Sequence, residues 1–589
     1  MVGRFVQATI MAAALLLCLG VARAETALPA TDDGGTAVLA AHVLSPADVR
    51  RYREIFRDEH GGRFVAARRL IAELSDRSLM GYVLAEHYLS PHSGRTPAAE
   101  LNRWLREYGD LSIAERIRDL SERRTRRKSR VPAAPPLHWR GGGYEDEEAP
   151  SPPLASEAAR AVEPEIAAAI RNDRPGDAAA LLKTLAADST AAPSDVARLT
   201  EHVAASYVAE GMDAEAYALA DATDSNTRAV APMLDWCAGL SAYRLGHYDD
   251  AARHFTALAE TGSVPGYTRA AAAFWAARSD LRMGRPQPVV SLLLAAARQQ
   301  PSFYGLIAAR LLGQSDDSKF REPVLDRTHF SDLIQVPAVH RAVALWQVGE
   351  KDDVANEMNR AFASIGPDDG AAFAALARVL VLPNLELRIS ETEAAHGVML
   401  TSLFPVPLYA PEDGYKLDPS LVLAIARVES RFRAHAVSAA GARGLMQLMP
   451  GTARHLAGRR ISDDALEDPS TNLALGQRYL RRLLDRVNGN LFELAAAYNA
   501  GPANLSRWLG DTAGSKDDPL LFVESVPSPE TRAYIKRFMM YHWLYCRRLQ
   551  QNAPTLDETA SGKWPTYHPQ SVPVASVPAA VQSFDAASN

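Results

Sequence analysis

The chain has 589 residues, of which 47% are apolar, 23% charged and 7% aromatic, and 70 acidic against 64 basic side chains leave a formal charge of −6. This is globular composition at a length greater than one core needs, which excludes a wholly disordered protein. With charge so nearly balanced and a pI of about 6.2, the chain is not built to hold a polyanion by bulk charge, so no nucleic acid partner is expected.

At the N-terminus, Arg4 precedes an apolar run over residues 10–22, and Ala22-Arg23-Ala24 stands before Glu25. A basic start, an apolar middle and a small-residue cleavage pattern predict a signal peptide over residues 1–24, hence export of a soluble form. The run is too short to cross a bilayer, and no other stretch comes near the ~18 apolar residues needed, so no integral membrane span is expected. Cys18 follows Leu17, where a lipidation signal needs a small residue, so lipidation is not expected there. Cys237 and Cys546 are too few for a disulfide framework and lack metal-ligand spacing, so both read as free, buried thiols with no metal.

Residues 46–128 carry apolar positions every three or four residues and predict an N-terminal helical segment. Residues 129–155 hold Pro132, Pro135, Pro136, Gly141 to Gly143 and the acidic run 145–148, which predicts a linker or long exposed loop. Helical patterning resumes over 156–382. Within it Trp236, Gly239, Tyr243, Leu245, Gly246, Tyr248, Ala251 and Phe255 have the spacing of a tetratricopeptide-like hairpin, where small residues admit close packing and aromatics fill between helices. Ser241, Arg244 and Gly246 recur as Ser279, Arg282 and Gly284. The region therefore reads as an α-superhelix, with an ordinary helical bundle as the alternative. Almost no alternating β pattern occurs, and the expected fold class is all-α. Prolines over 383–408 mark a junction to a last domain, 409–550, and the polar, Pro-rich residues 551–589 read as a disordered tail.

That last domain carries the chemistry. Asp418-Pro419 is a helix start, a capping carboxylate followed by proline where its missing N–H costs nothing. Leu421, Ala424, Ile425 and Val428 make one apolar stripe, and Glu429 lies along its edge, where desolvation would raise its pKa and keep it protonated as a general acid requires. Taken alone, such a glutamate is more often solvated or paired with a neighbour such as Arg427 or Arg431.

Further motifs alter that balance. Glu429-Ser430 is followed by Val437-Ser438, Gly444-Leu445-Met446-Gln447 with Met449, then Ala497-Tyr498-Asn499-Ala500-Gly501-Pro502, then Glu530-Thr531-Arg532 with Tyr534. This ordered set resembles the soluble lytic murein transglycosylases, whose catalytic domain is of the goose-type lysozyme-like kind and which cleave bacterial peptidoglycan. The layout is also similar to the family's large periplasmic members: signal peptide, long α-superhelical region, C-terminal catalytic domain. The resemblance implies a lyase that cleaves the bond between N-acetylmuramic acid and N-acetylglucosamine without water, leaving 1,6-anhydro ends. It implies Glu429 as the acid and then the base, Tyr534 beside the developing positive charge, and Ser438, Met446, Gln447, Met449, Tyr498 and Asn499 on the sugars. It implies no cofactor, peptidoglycan strands as substrate, and room for cell-wall enzyme partners on the helical region.

No second carboxylate stands out. Asp463, Asp464, Glu467 and Asp468 read as loop and helix cap, and Glu493 lies on the helix leading to Ala497. Two-carboxylate hydrolysis needs such a partner, so its absence favours a substrate-assisted route. Met446 and Met449 have a core reading beside the functional one. Arg431, Arg433 and His435 either attract an acidic peptide stem or form a solvated face. The alternatives are a hydrolytic muramidase and a non-catalytic peptidoglycan-binding scaffold, with an adaptor built on the helical repeats a third.

Overall fold

Proline at the first helical turn and a preceding Ser, Asp or Asn start many of the helices. Ser45, Ser302, Asp468, Asn490, Asp518 and Ser528 each accept a hydrogen bond from a backbone N–H two or three residues on, satisfying a donor that the helix itself cannot. The computed structural model describes residues 43–125, 152–314, 320–511 and 517–570. Among these every regular element is a helix, and β pairing is confined to isolated bridges such as Val437 with Arg443. The all-α expectation holds. The signal peptide 1–24, nearly all of the linker 129–155 and residues 571–589 lie outside the described residues. No described helix is long and apolar enough to cross a membrane.

The chain divides into two compact units, and the division differs from the sequence reading. Residues 322–396, read as the end of the superhelix, belong with the N-terminal helices. Long-range polar contacts make this so. Tyr82 donates to Glu357 Oε1 at 2.5 Å, Arg341 bridges Glu357 and Asp110 at 2.8 and 2.9 Å, and the Leu44 N–H donates to Gln347. None of these pairings leaves a local signal. The proline-rich junction 383–408 is also partly regular, with a helix over Pro383–Ala395.

In the second unit, the predicted hairpin forms. Met233–Leu245 (α1) ends at Gly246, whose φ of +82° suits a residue without Cβ, and Tyr248–Glu260 (α2) returns alongside. A Cβ at Gly239 would stand 2.9 Å from the Phe255 ring, so glycine there lets the two helices close. Gly266–Arg282 (α3) repeats the arrangement. Trp275 is fully buried against Tyr243, and Gly284 takes the same left-handed turn as Gly246. Phe303–Leu311 (α4) follows and meets the last domain, its Phe303 ring stacked on Trp543 at 5.3 Å.

The last domain holds Pro419–Ser430 (α5), Pro450–Ala457 (α6), Pro469–Arg486 (α7), Leu491–Ala500 (α8), Pro519–Ser525 (α9), Pro529–Arg548 (α10) and Pro554–Ala560 (α11), with two further helices, Asp463–Glu467 and Pro502–Asp511, in the connections. α5 is more deeply buried than a single stripe suggests. Leu421, Ala424 and Ile425 are enclosed, and so are Val422, Leu423, Ala426 and Arg427. Burial of each large apolar side chain contributes on the order of 2 kcal/mol, and α5 packs along α10, which in turn packs against α8.

Two expectations are corrected here. Asp418 stands at the N-cap position of α5, but its side chain makes no capping bond. Its carboxylate instead accepts the Gln570 N–H at 3.1 Å, and burial raises its pKa. Residues 551–570, assigned to the disordered tail, are folded back on the domain. α11 places Thr555 on the Trp543 indole N–H, Trp564 packs on Phe492 and Phe522, and the Pro565 carbonyl accepts from Leu491. The prolines that suggested disorder here shape a strap whose partners lie far away in the sequence.

Candidate active site

α5 delivers Glu429 to the site and then ends abruptly. Arg431 and Phe432 have φ of +53° and +61°, a conformation that costs non-glycine residues on the order of 1 kcal/mol each. Burial of the Phe432 side chain offsets this, and the chain turns away so that Glu429 remains at the rim of the core. Arg427 does not pair with Glu429. It is buried on another side of α5, its guanidinium 4.6 Å from the Phe404 ring centre and 4.3 Å from that of Tyr541.

The Tyr534 hydroxyl, from α10, donates to Glu429 Oε1 at 2.6 Å and is the carboxyl's hydrogen-bond partner among the described residues. Burial pushes the Glu429 carboxyl up to about 7. The tyrosine bond opposes this, the charge of Glu530 adds to it, and that of Arg537 offsets it. Tyr534 and Tyr498 are themselves raised well above the ordinary phenol range, first by burial and then by the Glu429 charge, so both remain hydrogen-bond donors near neutral pH. Their rings lie nearly parallel, 6.5 Å apart.

The loop between α5 and α6 meets this centre where its Met446 carbonyl accepts the Tyr498 hydroxyl. Ser438 Oγ accepts the Ala442 N–H at 3.0 Å, and the Gln447 amide donates to the carbonyls of Ala436 and Gly444. Gly444 has φ of +79°, and a Cβ there would lie 2.2 Å from both Asn472 Nδ2 and the Leu466 carbonyl oxygen. That position requires glycine.

Met446 departs from the sugar-contacting role that the resemblance implies. Its side chain is fully buried, packed where a Cβ on Gly476 would come within 2.0 Å of its sulfur. Only its backbone reaches the site: its carbonyl accepts the Tyr498 hydroxyl at 2.7 Å and its N–H donates to Asn472. Met449 is 44% exposed at the start of α6 and is free to meet a ligand. Asn499 joins α8 to α10, accepting from Thr531 Oγ1 at 2.6 Å and donating to Glu530 at 3.3 Å.

Asn472 was missed from the sequence, and Glu530 was read there only as part of a motif. Asn472, fully buried on α7, donates to the carbonyls of Arg443 and Leu466 and accepts from the Met446 N–H, tying the α5–α6 loop to the helix Asp463–Glu467. Glu530 is an exposed carboxylate whose charge acts on Glu429. The available signal for Asn472 was its place with Gly476 on the apolar stripe of α7, where a polar and a small residue one turn apart mark a close, hydrogen-bonded approach. Of the basic residues after α5, His435 pairs with Glu467 at 3.0 Å, and Arg433 is exposed with its Nε donating to the Ser430 carbonyl. Arg443 also binds Glu467 and Asp463, and Asp468 caps α7. Glu493 is tied to Asn490.

Residues 408–521, which hold α5 to α8 and Glu429, match the family model described as the transglycosylase SLT domain. The chain is homologous to the soluble lytic murein transglycosylase of Escherichia coli K12, with 31% identity over 295 residues, 48% of this chain and 44% of that protein. The aligned region thus spans less than half of that relative. In fold, the chain is similar to the crystal structure of the 70 kDa soluble lytic transglycosylase from Escherichia coli, with a TM-score of 0.54 at 19% identity, covering 88% of this chain and 99% of that one. An inactive mutant of the lytic transglycosylase Slt from Pseudomonas aeruginosa is similar at a TM-score of 0.53 and 22% identity, covering 87% and 90%.

Proposed function

We propose that the protein is a peptidoglycan lytic transglycosylase that uses Glu429 alone for both proton transfers. The observation that carries this reading is the Glu429 carboxyl, hydrogen-bonded by Tyr534 and held up to about 7 by burial, so that a large fraction is protonated at neutral pH. In the first step the Glu429 proton passes to the glycosidic oxygen and the bond from that oxygen to C1 of N-acetylmuramic acid breaks. The acetamido oxygen of the same sugar takes the vacated position on C1. In the second step the Glu429 carboxylate removes the proton from the C6 hydroxyl, O6 bonds to C1, and the acetamido oxygen leaves. Water is neither consumed nor released, and Glu429 ends protonated as it began.

Tyr534 holds the carboxyl in line and donates to it when it becomes charged. Ser438, Gln447, Met449, Tyr498 and Asn499 would line the glycan cleft, with Met446 acting through its carbonyl on Tyr498. Export by the 1–24 signal peptide would place the enzyme in the periplasm with its substrate, and the helical regions would serve to hold glycan strands or cell-wall enzyme partners.

A hydrolytic reading has one observation in its favour, the exposed Glu530 near enough to influence Glu429. Its tie to Asn499 and its place on the same helix as Tyr534 give it a supporting role in the account above. Solubilisation of purified sacculi tests the proposal: wild-type protein should release muropeptides ending in 1,6-anhydro-muramic acid. Release of reducing muramic acid ends only would refute it.

A further inference from the structure

We infer that the helical-repeat part of this unit positions the proton-transfer pair, with Arg244 and Tyr304 fastening the α9–α10 connection so that Tyr534 stays bonded to Glu429. This rests on the functional reading above.

The fastening begins at Glu524, 2% exposed near the end of α9. Its carboxylate accepts the Tyr304 hydroxyl from α4 at 2.5 Å and the Lys536 ammonium from α10 at 3.1 Å. Its backbone carbonyl accepts Arg244 Nη2 at 3.0 Å, and the same nitrogen reaches Ser525 Oγ at 3.1 Å. The other Arg244 nitrogen is anchored inside the repeat region, on Asp213 at 3.0 Å and the Val208 carbonyl at 3.2 Å. Two further contacts complete the clasp. Arg278 of α3 meets Asp518, the residue that caps α9, at 2.7 Å, and Arg532 holds the Val526 and Pro527 carbonyls at 2.6 and 3.2 Å.

These bonds converge on one short segment. Thr531, Arg532, Tyr534 and Lys536 all lie in the first two turns of α10, and Thr531 ties to Asn499 while Tyr534 meets Glu429. A shift of a few tenths of an ångström in those turns would stretch the Tyr534 bond, which weakens steeply with distance and angle. Buried ionic networks contribute little net stability against an apolar seam of equal volume, but they fix direction, and a truncated member leaves the rest unpaired. Arg244 also explains a motif that the catalytic reading did not absorb. It is the arginine of the repeated Ser-Arg-Gly pattern, and here it reaches out of the repeat to the catalytic domain. The groups that face Glu429, and so set its titration, are Tyr534, Glu530 and Arg537 from α10 and Tyr498 from α8.

The test uses the full chain on peptidoglycan with Tyr304→Phe, Arg244→Met, Tyr534→Phe and the double variant Tyr304→Phe/Tyr534→Phe. Tyr304→Phe removes one hydroxyl and keeps the ring, and thermal melts record whether each variant is folded. The first two variants should lower kcat by roughly 5- to 30-fold with KM changed by less than about twofold. Their alkaline limb should move in the same direction as that of Tyr534→Phe. In the double variant, Tyr304→Phe should add less than about twofold, because the bond through which it acts is already gone. Losses that multiply, or a lowered melting temperature with kcat and the pH limb unchanged, would overturn the inference while leaving the enzyme assignment intact. Inactive wild-type protein would overturn both.

Discussion

α10 takes part in two tyrosine–glutamate pairs of nearly equal length: its own Tyr534 donates to Glu429 at 2.6 Å, and its Lys536 joins the pair in which Tyr304 of α4 donates to Glu524 of α9 at 2.5 Å. Their hydrogen-bond partners differ. Glu524 also has the Lys536 ammonium at 3.1 Å, whereas Glu429 has the phenol alone for a hydrogen-bond partner among the described residues. A carboxylate bonded to both a phenol and a cation serves as a fixed joint. One bonded only to a phenol, in surroundings that disfavour charge, is left with a proton to give, and Glu429 is held up to about 7. α10 thus supplies Lys536 to one pair and Tyr534 to the other, and only the Glu524 pair has a cation at hydrogen-bond distance among the described residues.

The comparison can be broken most severely at Glu429. Glu429→Gln keeps shape and the bond from Tyr534 but has no acidic proton, so cleavage should fall by at least roughly 10³-fold with an unchanged circular dichroism spectrum. Removing the cation from the other pair should instead damage stability. Lys536→Met leaves Glu524 with Tyr304 as its side-chain partner and is expected to cost about 2–4 kcal/mol in denaturant unfolding, since half of a buried ion pair is then uncompensated.

The third test concerns the sign of the Glu429 titration. Its pKa rises from 4.5 to about 7 on folding, so the folded state favours the protonated form. Wild-type stability is then unaffected by this group below pH 4.5 and is progressively lost as pH climbs through 7. Glu429→Gln cannot ionise and should be more stable than wild type at pH 8 by roughly 1–3 kcal/mol, with no advantage near pH 4, as read from melts across pH. Activity should follow the same group, with kcat/KM falling as pH rises through about 7. A smaller loss of activity than that of Glu429→Gln is expected from Tyr534→Phe, about 10- to 30-fold in kcat. That hydroxyl favours the ionised carboxylate, so its loss should move the alkaline limb upward. A downward move would contradict the hydrogen bond's assigned effect.

Much of this was legible in the chain because it is local. The proline start of α5, its apolar positions and the place of Glu429 at the edge follow from spacing within twelve residues. The hairpin at Gly239 and Phe255 follows from small and aromatic residues at helical intervals. What escaped depends on partners far off in sequence. Asp418 looks like a cap until Gln570 is found on its carboxylate, and residues 551–570 look disordered until Trp543, Phe492 and Leu491 are seen to receive them. Met446 sits in a motif that suggests sugar contact, yet only the helix bearing Gly476 shows where its side chain goes. The grouping of 322–396 with the N-terminal helices rests on pairs such as Tyr82 with Glu357, which periodicity cannot reveal.

The most direct test of the central claim, that one carboxyl performs both proton transfers without water, is digestion of purified peptidoglycan in heavy-oxygen water followed by mass spectrometry of the muropeptides. The account predicts 1,6-anhydro-muramic acid ends that carry none of the label. Reducing muramic acid ends with one labelled oxygen on C1 would contradict it and assign the water-activating role to a second group, with Glu530 the first to examine.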